Sequence, residues 1–260
     1  MANDFSADPN LQALYTCEGY LGGADDLDDD SGKGNHLADT SGPTLEEILV
    51  KEGAKSIKAP TSAAQFTLVD GSLSADFPGK SGTTNNVFSV CYWARPTAFA
   101  GAFYNQVVCK WSSSAAKITW GTSIDEYGAN PNWALYIGYN SGASFETFKV
   151  ADCTVAVDQW YHVAFTYNGP TKAWHVRVWD EKATTVYDAS GSGAQTMNIE
   201  DATFAVLGRA ESSYGYIGIL DEVAIFNDIL TSDEIDEIRN QTFGGGGGGG
   251  DGGLMFGSDF

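Results

Sequence analysis

Apolar side chains recur with a period of two along several stretches of this chain. The alternation is clear at 72–77, 133–139, 174–180 and 223–226. A period of two places one row of side chains inward and one outward, which predicts half-buried β-strands. Clusters of Gly, Asn, Asp and Ser separate these runs, as turns between short strands require. The pattern therefore predicts an all-β sandwich, and 260 residues are enough for one such domain.

Two segments carry helix signals instead. Thr231 stands where an N-cap belongs, and Glu234 completes a capping box three residues later. Leu230 and Ile235 have the spacing of a hydrophobic staple, so a short C-terminal helix is predicted. The segment 41–58 contains the same cap spacing and predicts a second short helix.

Four segments, in chain order, are similar to one known family. They are DDSGKGNHL at 29–37, which follows an opening strand at 14–18, then VFSVCYWARP at 87–96, DQWYHVAFTYNG at 158–169 and the ending at 218–238. This order resembles the laminin-G-like domains of the concanavalin A-like lectin and glucanase superfamily. The resemblance covers roughly residues 11–240 and implies a jelly-roll sandwich of two antiparallel sheets. Because such folds carry many activities, it implies the fold more than the function.

The chain divides into an N-terminal arm (1–10), the sandwich (11–243) and a tail (244–260). Seven consecutive glycines at 244–250 would lose much conformational entropy on ordering, so the composition predicts a flexible tether. Its tip is apolar, which predicts an arm that docks into a groove on a partner or on a neighbouring copy. The docking side chains are Leu254, Met255, Phe256 and Phe260. A terminus without a role is the alternative.

The formal net charge is −20, from 34 acidic and 14 basic side chains. A surface of this kind repels nucleic acid and anionic membranes, and it attracts divalent cations. Acidity that only keeps a β-rich protein soluble is the alternative interpretation.

The four cysteines are widely spaced among apolar neighbours, which predicts buried free thiols. Pairing of Cys91 with Cys109 across neighbouring strands stays open. The first ten residues have neither the basic region nor the apolar core of a secretory signal, and no apolar run approaches the length of a membrane span. We therefore expect synthesis in a cytoplasm, with exit by lysis, by assembly into a particle or by a dedicated route.

The turn at 25–35 contains five carboxylates and two glycines, and calcium prefers hard oxygen ligands in a flexible loop. Members of the family often hold a structural calcium between the opening strand and the acidic residue of the last strand. Carried over by position, the resemblance implies Glu18, Asp28 or Asp30, and Asp221 as ligands. A solvated acidic turn is the alternative.

Carbohydrate binding on such sandwiches usually relies on aromatic rings that stack on sugars. Aromatic residues beside polar loops are the candidates, namely Trp120, Tyr127, Trp133, Tyr214 and Tyr216. Aromatic side chains in β-proteins also serve as core or strand-pair residues, which is the competing interpretation.

The sequence predicts no catalytic residues. Glucanases of the superfamily carry the strand motif E-[IL]-D-x-x-E, whose two carboxylates cleave the glycosidic bond. The nearest string, EIDEIR at 234–239, ends in Arg239 and has helical spacing. No nucleophile elbow is present in the sequence, and His36, His162 and His175 lack metal spacing.

The residues favour a non-enzymatic structural or adhesive protein of a virus particle, such as a bacteriophage decoration, fibre or appendage protein. Its sandwich would project and bind a surface glycan, while the C-terminal arm would hold other virion proteins. The oligomeric state stays open. An exported bacterial carbohydrate-binding module at the cell surface is the alternative, and a glycoside hydrolase is the third hypothesis.

Overall fold

The computed structural model describes residues 3–5, 7–23, 26–99, 104–112, 117–125, 130–210 and 214–243. Within those ranges the strands form two antiparallel sheets, one of eight strands and one of seven. The two sheets enclose a shared apolar core, which confirms the predicted all-β jelly-roll sandwich. None of the helices in the described ranges is long and apolar enough to cross a membrane. The predicted glycine tether and its apolar tip, at 244–260, lie outside the described residues.

The eight-stranded sheet contains the first and the last strand of the chain. In spatial order it consists of β13 (Thr185–Ser192), β12 (Ala173–Asp180), β11 (Tyr161–Asn168), β6 (Val87–Ala98), β15 (Ile217–Phe226), β4 (Ser56–Ala59) and β3 (Thr44–Glu46). The opening strand β1 (Leu11–Tyr15) also pairs with β15.

The seven-stranded sheet lies across the core. In spatial order it consists of β10 (Ser144–Lys149), β9 (Asn132–Tyr139), β8 (Lys117–Asp125), β7 (Tyr104–Ser112), β14 (Phe204–Val206), β5 (Phe66–Leu68) and β2 (Ala38–Asp39).

A short helix covers part of the outer face of the eight-stranded sheet. This helix, α1 (Ser232–Arg239), has the predicted capping box: Glu234 N–H donates to Thr231 Oγ1 at 3.3 Å, and Thr231 N–H donates to the Glu234 carboxylate at 2.7 Å. Ile235 and Ile238 pack with Cys91 and Ala164 of the sheet in one apolar cluster. The sheet, rather than helix propensity, therefore holds an eight-residue helix that would be marginal alone.

Two sequence predictions of secondary structure were wrong. The segment 41–58 is not a helix: Leu45 pairs with Ile57 between β3 and β4, and Glu46 accepts hydrogen bonds from the next turn. The segment 72–77 is not a strand: it starts at the last residue of a 3-10 turn (Asp70–Ser72) and continues through bends and a turn. There Asp70 accepts from Ser81 and pairs with the buried ammonium of Lys110 at 2.6 Å, which fixes the loop.

All four cysteines are buried and free, as predicted. Cys91 lies in the cluster outside the eight-stranded sheet, and Cys109 lies in the cluster outside the seven-stranded sheet. The whole sandwich separates them, so the open possibility of a bond between these two is excluded.

Candidate functional site

The structure corrects most of the predicted sugar-stacking residues. Trp120, Trp133 and Tyr216 are fully buried in the core, so none of them has a ring face for a sugar. Tyr214 has 42% of its surface exposed and remains a candidate. Tyr127 lies outside the described residues.

The outer surface of the seven-stranded sheet, which we name the seven-strand face, is the best candidate for ligand binding. Strand pairing places three rows of side chains on this face, because directly paired residues point to the same side. The rows are Tyr104, Asp125 and Asn132; Gln106, Ser123, Ala134 and Lys149; and Cys109, Gly121, Tyr136 and Thr147.

Aromatic rings give this face its shape. Tyr104, Trp111, Tyr136 and Phe145 pack with ring centres 5.3 to 6.0 Å apart, mostly edge to face. The guanidinium of Arg209 lies 4.9 Å from the Trp111 ring and 5.1 Å from that of Tyr214. This arrangement holds the exposed Tyr214 ring over the face.

Polar groups lie among these rings. Gln106 is fully buried, yet within the described residues both side-chain amide atoms lack a hydrogen-bond partner. Asn132 Oδ1 is also buried without a partner in that part of the chain. Buried amides are almost always hydrogen-bonded, so unsatisfied ones indicate a site for water or a ligand.

A shallow depression opens on the same face. It has a volume of about 300 Å³ and is lined by Tyr104, Asp125, Thr147 and Lys149. Lys149 Nζ lies 3.4 Å from the Asp125 carboxylate. Burial, reinforced by Asp125, raises the pKa of the Tyr136 hydroxyl, which therefore stays protonated beneath this depression. The face thus combines flat rings with hydroxyl, amide and charged groups, the set that sugars require.

Sequence reasoning missed Tyr104, Gln106 and Lys149. The available signal was the polar Gln, Ser and Asn side chains inside otherwise apolar strands, since a strand core has little use for them. Alternation alone could not show which row faces outward.

The predicted metal ligands each have partners of their own. Glu18 accepts from the N–H groups of Ala54 and Lys55 at 2.8 and 3.1 Å. Asp28 pairs with His36 at 3.1 Å.

The other two predicted ligands are held in a similar way. Asp30 accepts from the N–H and hydroxyl of Thr16 at 3.3 and 2.5 Å. Asp221 accepts through Oδ2 from the N–H groups of Lys51 and Glu52 and from the Ser56 hydroxyl. Among the described residues, no group of three or more His, Cys, Asp or Glu side chains has the geometry to hold a metal ion.

Asp221 nevertheless sits in an electrostatically unfavourable acidic cluster. Burial raises its pKa to about 6, and burial together with neighbouring carboxylates raises the pKa of Glu52 to about 7 and that of Glu222 to about 8. Asp221 Oδ1 is buried and lacks a hydrogen-bond partner in the described structure, so one acceptor remains for a cation. Calcium binding stays a prediction.

The string that resembles the glucanase motif lies on α1 and not on a sheet. Glu234 belongs to the capping box, and Asp236 pairs with Arg177 at 2.7 Å. These carboxylates therefore serve the helix, which is compatible with a binding domain rather than a glucanase.

The family comparison matches the same part of the molecule. A laminin-G-type family described as the concanavalin A-like lectin/glucanases superfamily matches residues 70–236, more than half of the chain. The chain belongs to this superfamily. Its matched part runs from the loop fixed by Asp70 through β15 into α1, and it includes most of the seven-strand face. No curated protein matches the sequence.

Solved structures of binding domains share this fold. Domain 4 of AbnA, a GH43 extracellular arabinanase from Geobacillus stearothermophilus solved in complex with arabinotriose, aligns with a TM-score of 0.60 at 17% identity, over 88% of this chain and 98% of that one. The binding domain of Paraclostridial Mosquitocidal Protein 1 aligns with a TM-score of 0.61 at 17% identity, over 89% of this chain and 52% of that one. The receptor binding domain of botulinum neurotoxin type G aligns with a TM-score of 0.55 at 15% identity, over 89% of this chain and 51% of that one. The chain thus spans about half the length of the two toxin domains, and at these identities the likeness concerns the fold.

Proposed function

We propose that this protein is a non-enzymatic binding domain whose ligand is a glycan held on the seven-strand face. The observation that carries the proposal is the depression lined by Tyr104, Asp125, Thr147 and Lys149, on the same face as the exposed Tyr214 ring. Membership of a lectin-type superfamily supports the same ligand class.

The chemistry is recognition without bond cleavage. The exposed ring of Tyr214 offers a flat apolar face to a sugar ring, and Lys149 and Asp125 at the depression offer a donor and an acceptor to its hydroxyl groups. Tyr104 closes one side of the depression. Each of these groups binds or orients the sugar, and none of them attacks it.

The test uses the full chain, a panel of neutral oligosaccharides that includes arabinotriose, and isothermal titration calorimetry. Tyr214→Ala and Lys149→Met should each weaken binding about tenfold, a typical loss for one stacking or charged contact. Lys58→Met and Ile229→Ala change similar exposed side chains outside this face and should bind as the unaltered chain does. Retention of full affinity by both face variants, or failure of every neutral sugar to bind, would refute the proposal.

The setting we infer is the surface of a virus particle, where the sandwich projects and the C-terminal arm anchors it. The glycine tract and the apolar tip, with Leu254 and Phe256, support an anchoring role, and the acidic composition suits a displayed domain. Deletion of 244–260 should abolish incorporation into particles and leave the melting temperature of the sandwich unchanged. Neighbouring genes for a secretion system, in place of capsid or tail genes, would favour the exported module instead.

A further inference from the structure

A second pocket lies on the opposite side of the sandwich, on the outer face of the eight-stranded sheet beside the end of α1. It has a volume of about 320 Å³ and is lined by Lys51, Trp93, Trp179, Glu181, Arg239 and Gln241, among others. Strand pairing places Trp93, His162 and Trp179 in one row across β6, β11 and β12. We name this pocket the tryptophan pocket.

Two cations converge on this pocket, although the chain has only 14 basic side chains against 34 acidic ones. Lys51 Nζ lies 4.3 Å from the centre of the Trp93 ring, and the Arg239 guanidinium lies 4.3 Å from that of Trp179. Such stacking holds each cation in place while leaving its remaining N–H groups available.

The buried side chain of His162 lies close to several of these charged groups. Burial lowers its pKa to about 3, and Arg239, Lys51 and Arg177 act in the same direction, whereas Asp236 opposes them. Lys51, Arg177 and Arg239 therefore surround His162 on this face, whereas Asp221, which pairs with Trp93 in the same row, and Glu52, which accepts from Trp93 Nε1 at 2.9 Å, lie on the other side of Trp93.

A carboxylate of the chain itself already occupies part of the pocket. Glu181, in the turn after β12, pairs with the ammonium of Lys51. Its side chain is 43% exposed, and an exposed ion pair contributes little to stability because water and salt compete with it. Glu181 can therefore be displaced by a carboxylate that brings additional contacts.

We infer that the tryptophan pocket is a second ligand site, specific for an acidic sugar residue whose carboxylate replaces Glu181 between Lys51 and Arg239. The sugar ring would lie against Trp179, which is half-buried, because Trp93 is only 3% exposed. The side-chain amide of Gln241 borders the pocket, hydrogen-bonds Glu52 and has further hydrogen-bonding capacity for a sugar hydroxyl. The site does not depend on the seven-strand face, from which the whole core separates it.

The test titrates the full chain with trigalacturonate, with a neutral trisaccharide and with a tetraglutamate peptide. Trigalacturonate should bind, and its affinity should fall between about 50 and 500 mM salt on the order of several-fold, since the contact is ionic. Arg239→Gln and Lys51→Gln should each lower the affinity about tenfold, and Glu181→Gln should raise it several-fold because the internal competitor is gone.

Matched variants distinguish specific binding in this pocket from diffuse charge attraction. Lys182→Gln removes an exposed positive charge next to Glu181 but outside the pocket, and Tyr214→Ala alters only the seven-strand face, so both should leave trigalacturonate binding unchanged. A Lys182→Gln loss equal to that of Arg239→Gln would show that the attraction is diffuse and overturn the site. Equal affinity for tetraglutamate would overturn the sugar assignment, and absence of binding to both the unaltered chain and the Glu181→Gln variant would overturn the whole inference.

Discussion

His162 shows how one buried residue can couple this fold to pH. It is 2% exposed on β11, it lies 5.1 Å from the Trp93 ring, and its Nε2 lacks a partner within the described structure. Burial lowers the pKa of His162 to about 3 in the folded chain, so His162 stays neutral there at pH values where it is protonated in the unfolded chain, below about pH 6.5. Between these values the unfolded state binds more protons at His162, so the contribution of His162 to stability rises with pH across this window. The raised pKa values of Glu52, Asp221 and Glu222 give contributions of the opposite sign.

His162→Phe should remove this sensitivity. When the pH is lowered from about 6.5 to about 4, the free energy of unfolding of the unaltered chain should fall by about 2 to 3 kcal/mol more than that of the variant. The reason is that protonation of His162 in the unfolded state lowers this free energy by about 1.4 kcal/mol per pH unit in the window. Urea unfolding at several pH values measures the difference. His36→Gln, at a half-exposed histidine, is the control and should keep the original slope. Parallel curves for His162→Phe and the unaltered chain would show that His162 is not the titrating group.

At the scale of elements, α1 depends on its cap and on the sheet beneath it. Thr231→Ala removes the acceptor of the Glu234 N–H and should destabilise the domain by about 1 kcal/mol.

Ile238→Ala leaves a cavity in the apolar cluster on the eight-stranded sheet and should lower the free energy of unfolding by about 2 to 4 kcal/mol. Thermal and urea unfolding check both values. Glu237→Ala, at an exposed helix position, should change little, and an equally large effect there would mean that helix propensity rather than the contacts governs α1.

Sequence patterns predicted these elements where local and long-range preferences agree. The capping box and the apolar spacing both specify α1, and period-two alternation located β9, β12 and the second half of β15. The cap spacing near Thr44 failed because pairing of Leu45 with Ile57 in the sheet outweighs a local helix signal.

The candidate site was harder to predict than the strands that carry it. In β9 both rows are apolar, with Trp133 and Leu135 facing the core and Ala134 and Tyr136 facing outward, so periodicity could not choose the ligand-binding row. The choice depends on which sheet lies opposite, and that is a property of the tertiary fold.

At the scale of the whole molecule, the charge of −20 must be balanced by cations, and the question is whether one calcium is held at a specific place. A divalent ion at the acidic cluster around Asp221 and Glu222 would relieve repulsion there, since burial and neighbouring carboxylates raise the pKa of Glu222 to about 8. A bound ion stabilises only the folded state, by about 2.7 kcal/mol when its concentration is about a hundred times the dissociation constant.

Calcium should therefore raise the melting temperature by several degrees over a chelator-treated sample at about pH 7.5, whereas sodium chloride of equal ionic strength should not. Asp221→Asn should abolish this increase, because it removes the carboxylate charge at the buried Oδ1, which lacks a hydrogen-bond partner within the described residues. Asp158→Asn changes an exposed aspartate that pairs with Arg95 elsewhere, and it should respond to calcium as the unaltered chain does. A melting temperature that chelator leaves unchanged would remove calcium from the account of this fold, and the acidic turn would then serve solubility alone.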